Sequence, residues 1–406
     1  MADFLTYWDG MKRRGFLGTV TSGAMAGAAG VSAAQEKVEA PGPLMKTPAV
    51  VMAPRADGVE VVWAVSKLSR GHVEWKGEDG SSGTAGADSF GFVPQGDEIL
   101  RVKVTGLKPG GRYTLRAITD STDGKDRMEG PWKKFRTLDP AATETRFVIW
   151  NDTHQNAETI KQLHASTPAG DFLLWNGDTC NDWHQEDWLV PTLLHPAGQD
   201  VSEDRPMLLV WGNHDVRGKW AFRVPEMVAT PDDRPFYAFR SGPMAVVCLH
   251  TGEDKPDNHP SFGGRVAFEK LRKEQGEWLK TVIARPEFRD APYRVVFCHI
   301  PLRWTEEVPD AGYENGGYDA FSRFSREAWH EVLVAWKAQV IVSGHTHQPA
   351  WIPGSPEFPY AQLVGGGPQP DRATWIEGRA DANALSFVMK NLKGEVVQQA
   401  EFKPLV

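Results

Sequence analysis

The chain is 406 residues long, with 41% apolar and 24% charged residues, which excludes a disordered, collagen-like or coiled-coil protein and suits about two or three packed domains. Its 45 basic and 53 acidic residues leave a net charge of −8 with no basic tract, which excludes binding to nucleic-acid backbones through bulk charge. The three cysteines, Cys180, Cys248 and Cys298, are too few for a disulfide scaffold and read as isolated small hydrophobes.

At the N-terminus, Lys12-Arg13-Arg14-Gly15-Phe16-Leu17-Gly18 places paired arginines before a weakly apolar stretch rich in Gly, Ala, Ser and Thr. The stretch ends on the small-residue pattern Val31-Ser32-Ala33-Ala34. It resembles a twin-arginine export signal. The resemblance implies a signal over residues 1–34, with Met11 as an alternative start, and the twin-arginine machinery as a partner. No cysteine follows the stretch, so no lipid anchor is expected. The expected mature protein is soluble, periplasmic or extracellular, without a stable membrane anchor. Residues 35–46, with Pro41-Gly42-Pro43, read as a linker.

Residues 47–140 show period-two alternation. Val59, Val61 and Trp63 alternate with Glu60 and Val62; Leu100, Val102 and Val104 alternate with Arg101, Lys103 and Thr105. Tyr113, Leu115 and Ala117 follow the turn Lys108-Pro109-Gly110-Gly111. Short strands separated by Gly/Pro turns predict a small all-β sandwich. With Trp63 and the passage from Leu107 to Tyr113, the segment resembles a fibronectin type III-like module, of the kind that precedes the catalytic domain in purple acid phosphatases.

Residues 144–406 change texture. Apolar runs at 147–150, 172–175, 207–211, 246–249, 295–298 and 340–342 are interspersed with helical patterns at 157–164, 268–283 and 325–336. Buried strands alternating with amphipathic helices predict an α/β domain of packed layers. Strands at 386–390 and 396–402, split by Lys393-Gly394, predict a C-terminal hairpin.

Ligand-type residues follow the predicted strands. Asp152-x-His154 follows the first, Gly177-Asp178 the second, and Gly212-Asn213-His214-Asp215 the third. His299 follows 295–298, and Gly344-His345-Thr346-His347 follows 340–342. In open α/β sheets ligands bind at the carboxyl ends of strands. Carboxylate, imidazole and amide donors suit Mn, Fe or Zn. The glycines allow close backbone approach directly after a buried strand.

The ordered set DxH, GD, GNHD, H, GHTH resembles the calcineurin-like metallophosphoesterase superfamily, in its DxH branch. That resemblance implies a layered β-sandwich flanked by helices and a binuclear metal centre. Asp152, His154 and His347 would hold one ion; Asn213, His299 and His345 would hold the other; Asp178 would bridge them. His214 would face the substrate and Asp215 would orient it. Two cations sharing a hydroxide would drive in-line attack on a phosphate ester, with His214 stabilising the developing charge or protonating the leaving oxygen.

Two positions depart from the purple acid phosphatases. His154 stands where those enzymes have Gly, and Asn181 stands where they have a metal-ligating Tyr. No purple charge-transfer band is therefore expected. The Asp-x-His pattern is shared with cyclic-nucleotide and other phosphodiesterases, which tilts the expected substrate towards phosphodiesters or broad specificity. Phosphomonoester hydrolysis is the alternative. An extracellular binding protein with a vestigial metal site is the alternative of another class, and the full ligand set argues against it. Three long stretches, 180–205, 251–265 and 302–323, supply substrate-framing candidates: Arg217 and Arg303, with Trp183, His184, Trp188, Trp304 and Tyr313.

Overall fold

A computed structural model of the chain describes residues 42–87, 90–305 and 319–405. The expected export signal and Tyr313 lie outside the described residues. No helix among the described residues is long and apolar enough to cross a membrane.

Two sheets pack face to face. The first has nine strands in the order Val396–Phe402, Leu385–Asn391, Thr374–Ala380, Thr145–Trp150, Phe172–Asn176, Met207–Val210, Val50–Met52, Val59–Ala64, Ile99–Val104. The second has six, in the order Tyr237–Ser241, Met244–Leu249, Tyr293–Cys298, Val340–Ser343, Ala361–Val364, Ala350–Ile352. Strands 145–150, 172–176 and 207–210 run parallel, as do 244–249, 293–298, 340–343 and 361–364.

The period of two decides which layer each residue joins. Phe147, Ile149, Phe172, Leu174, Leu208 and Val210 point inward against Val246, Cys248, Val295, Phe297, Val340 and Val342 of the facing sheet. Their neighbours Val148, Trp150, Leu173, Trp175 and Leu209 point outward, onto Leu163 of helix Ala157–Ser166 and onto Leu189 and Val224. On the other side, Val247, Val296 and Ile341 pack on Leu279 and Val282 of helix Phe268–Ile283, and on Trp329 and Leu333 of helix Asp319–Ala335. Helix 268–283 buries Arg272, Gln275, Gly276, Leu279 and Val282, the spacing of one helical face. Its neighbour across the domain, helix 157–166, starts where the Asn156 side chain accepts the Thr159 N–H at 3.1 Å. The result is a layered α/β sandwich flanked by helices.

The N-terminal strands are not set apart from this sandwich. Val50–Met52 pairs in parallel with Met207–Val210, with Met52 opposite Met207, so the nine-stranded sheet continues from the C-terminal half into the N-terminal half. Val51, Val59, Val61 and Trp63 face a separate core shared with Val73, Leu115, Ala117 and Phe135. Val50, Met52, Val62 and Ala64, on the opposite face, enter the same core as Trp150 and Trp175. A buried polar seam ties the halves further. The Lys133 ammonium lies against the Ala49 carbonyl and the Asp200 carboxylate, and the Ser202 hydroxyl accepts from Val51 N–H at 3.0 Å. All three cysteines are buried and free.

Candidate metal centre

Parallel strands deliver their carboxyl ends to one edge of the sandwich. The segments that follow strands 145–150, 172–176, 207–210, 293–298 and 340–343 therefore converge there, although they are up to about 200 residues apart in the chain.

The ligand atoms fall into two groups. Asp152, His154, Asp178 and His347 form one, and Asp178, His299 and His345 the other; within each group the atoms lie within 4.8 Å of one another. Asp178 belongs to both. In the first group His154 Nε2 is 3.0 Å from His347 Nε2 and 3.4 Å from Asp178 Oδ2, and His347 Nε2 is 3.5 Å from Asp152 Oδ1. In the second, His299 Nε2 is 3.2 Å from Asp178 Oδ2, and His345 Nδ1 lies 2.8 Å from Asn213 Oδ1, which brings Asn213 to the same place.

The backbone is bent to do this. Asp152, His154, Asp178, His345 and His347 all have left-handed φ, between +43° and +72°. Residues other than glycine are held there at a cost, and Asp and His tolerate it better than most. Two glycines make room at the turns. A Cβ at Gly212 would stand 2.2 Å from Asp178 Oδ1, and one at Gly344 would stand 2.2 Å from Asp152 Oδ2.

Support behind the ligands fixes their orientation. His299 Nδ1 donates to the Asn176 carbonyl at 2.8 Å, which leaves Nε2, buried and without a hydrogen-bond partner, facing the carboxylates. The His345 N–H donates to both Asp152 oxygens, at 2.9 and 3.0 Å. His154 Nδ1 pairs with Asn181 Oδ1 at 2.9 Å, and Asn181 Nδ2 donates to the His154 carbonyl at 3.2 Å. The two departures from the purple acid phosphatases are thus one linked feature: the residue at 181 supports the imidazole at 154.

The donor set fits cations. Asp152 and Asp178 are both fully buried. Burial raises the Asp152 carboxyl and, with the Asp178 charge beside it, carries it to about 7. Burial also works against ionisation of Asp178, but the His299 charge and the His154 contact outweigh it and hold that carboxyl well below the usual range. Two buried carboxylates require positive charge. The convergent imidazoles, the free His299 Nε2 and the Asn213 oxygen are the donors that Mn, Fe or Zn takes.

His214 stands beside the first group, its ring centroid 4.8 Å from that of His154, and its backbone N–H donates to Asp178 Oδ1 at 2.9 Å. Its ring is oriented by Asp182, whose Oδ1 is 2.6 Å from Nδ1. Asp215 does not have the role expected of it. It is buried and accepts from the N–H groups of Asp178, Thr179 and Gly212 at 2.8 to 3.0 Å, and from the Thr179 hydroxyl, so it locks two loops together instead. The sequence signal for Asp182 was a carboxylate four residues beyond Asp178, with no periodicity to single it out.

The substrate-framing candidates disperse. Arg217 is turned into carboxylates, with Nε 2.5 Å from Glu253 and Nη2 2.9 Å from Asp254, so it is not free to hold a phosphate. Arg303 donates to the Pro353 carbonyl at 2.8 Å and lies over the Phe358 ring. Trp183 is core, donating to the Asp215 carbonyl, and Trp188 packs against the same core. Trp304 meets His345 edge-on at 5.8 Å, and His184 is mostly exposed, 3.5 Å from Asp182 Oδ2.

A family model described as calcineurin-like phosphoesterase matches residues 145–349. The serine/threonine-protein phosphatase CPPED1 of Homo sapiens is 25% identical over 201 residues, covering 49% of this chain and 59% of that protein. Purple acid phosphatase 22 of Arabidopsis thaliana is 24% identical over 273 residues, covering 63% of this chain and 54% of that protein. The chain thus spans between about half and three-fifths of the length of these relatives. Purple acid phosphatase PPD1 from yellow lupin (Lupinus luteus) seeds shares the fold, with a TM-score of 0.68 at 15% identity over 87% of this chain and 74% of that one.

Proposed function

The chain belongs to the calcineurin-like phosphoesterase family, and on that footing we propose that it is a metal-dependent phosphoric ester hydrolase using two cations. Asp152, His154, Asp178 and His347 would hold one, and Asp178, Asn213, His299 and His345 the other. The observation that carries the reading is the presence of Asp178 in both ligand groups. Bound there, the cations supply Lewis-acid activation of water and neutralise phosphate oxygens.

The chain's own residues supply orientation and a proton. Asp182 engages Nδ1 of His214, which leaves Nε2 as the nitrogen that meets substrate. From there His214 gives a proton to the departing oxygen as the ester bond breaks. Asn181 and Asn176 keep His154 and His299 in the orientations that face the carboxylates.

Phosphomonoesters are the preferred substrate class, because the relatives are named as phosphatases. The second reading is phosphodiesters, favoured by His154 standing within the first ligand group. Export through the twin-arginine machinery belongs to the same proposal, supported by Lys12-Arg13-Arg14. Arg13→Lys with Arg14→Lys should retain the protein in the cytoplasm on cell fractionation.

The deciding experiment loads the purified protein with Mn and compares turnover of a nitrophenyl monoester and a bis-nitrophenyl diester. Monoester dominance supports the first reading and diester dominance the second. Two bound metals with neither ester turned over would overturn both and favour a binding protein.

A further inference from the structure

Five ionisable side chains outside the ligand groups form a connected line that ends on His214. Glu253, fully buried, holds Arg217 Nε at 2.5 Å, and Asp254 holds Nη2 at 2.9 Å. The third nitrogen of that fork, Nη1, faces Asp182 Oδ1 at 3.7 Å. The same Oδ1 is 2.6 Å from His214 Nδ1. Lys255 joins the far end, 2.6 Å from Asp254.

The line bridges the two sheets. His214 and Arg217 follow strand 207–210 of the nine-stranded sheet, Asp182 follows 172–176, and Glu253 and Asp254 follow strand 244–249 of the facing sheet. Both ends are anchored. Gln275 clasps the His250 backbone through its N–H and its carbonyl, at 2.7 and 2.8 Å, and Arg272 donates to the Thr251 carbonyl at 2.8 Å. At the other end the Trp183 N–H donates to the Arg217 carbonyl at 2.8 Å, which holds Asp182 in a left-handed conformation, φ +88°. A planar guanidinium fixed at two nitrogens has one direction left for the third.

Resting on the reading that His214 serves the leaving oxygen, we propose that Arg217, clamped by Glu253 and Asp254, is a positioning residue that keeps Asp182 on His214. Without the guanidinium, Asp182 Oδ1 loses the nitrogen that faces it, and Glu253 and Asp254 have nothing to hold against it. Asp182 can then turn towards His184, whose Nε2 already lies 3.5 Å from its Oδ2. The His214 ring loses its partner and Nε2 its aim. As the P–O bond breaks, the departing oxygen takes the bonding electron pair and the Nε2 proton, and the imidazole regains a proton from water. Esters whose leaving group is a poor one depend on that proton; a nitrophenolate departs without it.

The test uses Arg217→Met and Glu253→Gln in the full chain, loaded with Mn. Nitrophenyl phosphate serves as the good leaving group and β-glycerophosphate as the poor one. General-acid assistance is worth at least about 100-fold, and outer-shell supports about 10- to 100-fold. Arg217→Met should therefore lower kcat for β-glycerophosphate about 100-fold, and for nitrophenyl phosphate less than about fivefold, with metal content and KM near wild type. Arg217→Lys, a point charge without the fork, should rescue only partly. Independently of turnover, proton NMR of the protein loaded with diamagnetic Zn should show the downfield Nδ1 proton of the short His214–Asp182 bond, lost in Arg217→Met and weakened in Glu253→Gln. Equal losses for both esters, or an unchanged downfield proton, would overturn the proposal. If His214→Ala itself shows no leaving-group dependence, the role of His214 falls instead. If Arg217→Met fails to fold, Glu253→Gln carries the same readouts, because the clamp is weakened without removing the guanidinium.

Discussion

Gly344→Ala tests the centre with a single added methyl group. Gly344 does not occupy the left-handed region, so alanine meets no backbone penalty, and any effect comes from contact. The new Cβ would lie 2.2 Å from Asp152 Oδ2 and 3.3 Å from Asn151 Cβ. An ordinary carbon–oxygen contact is about 3.3 Å, so the carboxylate must move by about 1.1 Å. Asp152 is fully buried and receives the His345 N–H on both oxygens, at 2.9 and 3.0 Å, so the displacement is passed to the ligands around it. Metal and catalytic constellations tolerate about 0.5 Å, and a misplacement of about 1 Å costs roughly 100-fold in rate, or about 2.7 kcal/mol. We expect the variant to hold fewer than two equivalents of metal by elemental analysis, or, with saturating Mn, to lose about 100-fold in kcat on nitrophenyl phosphate. Two equivalents of metal together with kcat within about twofold of wild type would refute the reasoning.

Four further outcomes follow from the geometry. Iron-loaded protein should show no visible charge-transfer band, because Asn181 supports His154 where a ligating phenolate would stand; Asn181→Ala should weaken metal binding about 10- to 100-fold in a chelator competition titration. Lys133→Met should cost about 3 kcal/mol in urea unfolding, because it leaves Asp200 and the Ala49 carbonyl without their cation, and adding Asp200→Leu should recover part of that loss; a single-variant change under about 0.5 kcal/mol would contradict the buried seam. A chain beginning at residue 144 should aggregate on size exclusion, since it exposes the Met207–Val210 edge and the core face covered by Val50, Met52 and Val62; a monomer with native melting behaviour would show that the halves are separable.

Much of the site was legible because it is local. Each ligand residue sits within one to five residues of the end of an apolar run, and parallel strands bring those ends to one edge whatever lies between them. His154 and Asp178, or His299 and His345, needed only the order of strands to meet. Unbroken apolar runs at 147–150 and 172–175 likewise announced strands buried on both faces, and the hairpin of 386–390 and 396–402 was marked by Lys393-Gly394.

Other assignments depended on which side chains meet across the folded chain. Asp182, Asp215 and Arg217 are all charged residues near the motifs, and no periodicity distinguishes them. Side-chain direction at the left-handed Asp182, and the buried Glu253 beyond a strand of the facing sheet, turned Asp182 onto His214, Asp215 into the loops and Arg217 onto carboxylates. Period-two alternation in 47–140 foretold strands but not their neighbours. The parallel pairing of Val50–Met52 with Met207–Val210 joins residues about 150 positions apart, and it makes Val62 a core residue of the metal-binding half. What the sequence by itself determined is the chemistry: which donors stand at the strand ends, and in what order. What only the tertiary structure decided is partnership, because hydrogen bonds and charge pairs depend on distances of a few ångströms between segments whose separation along the chain carries no record of them.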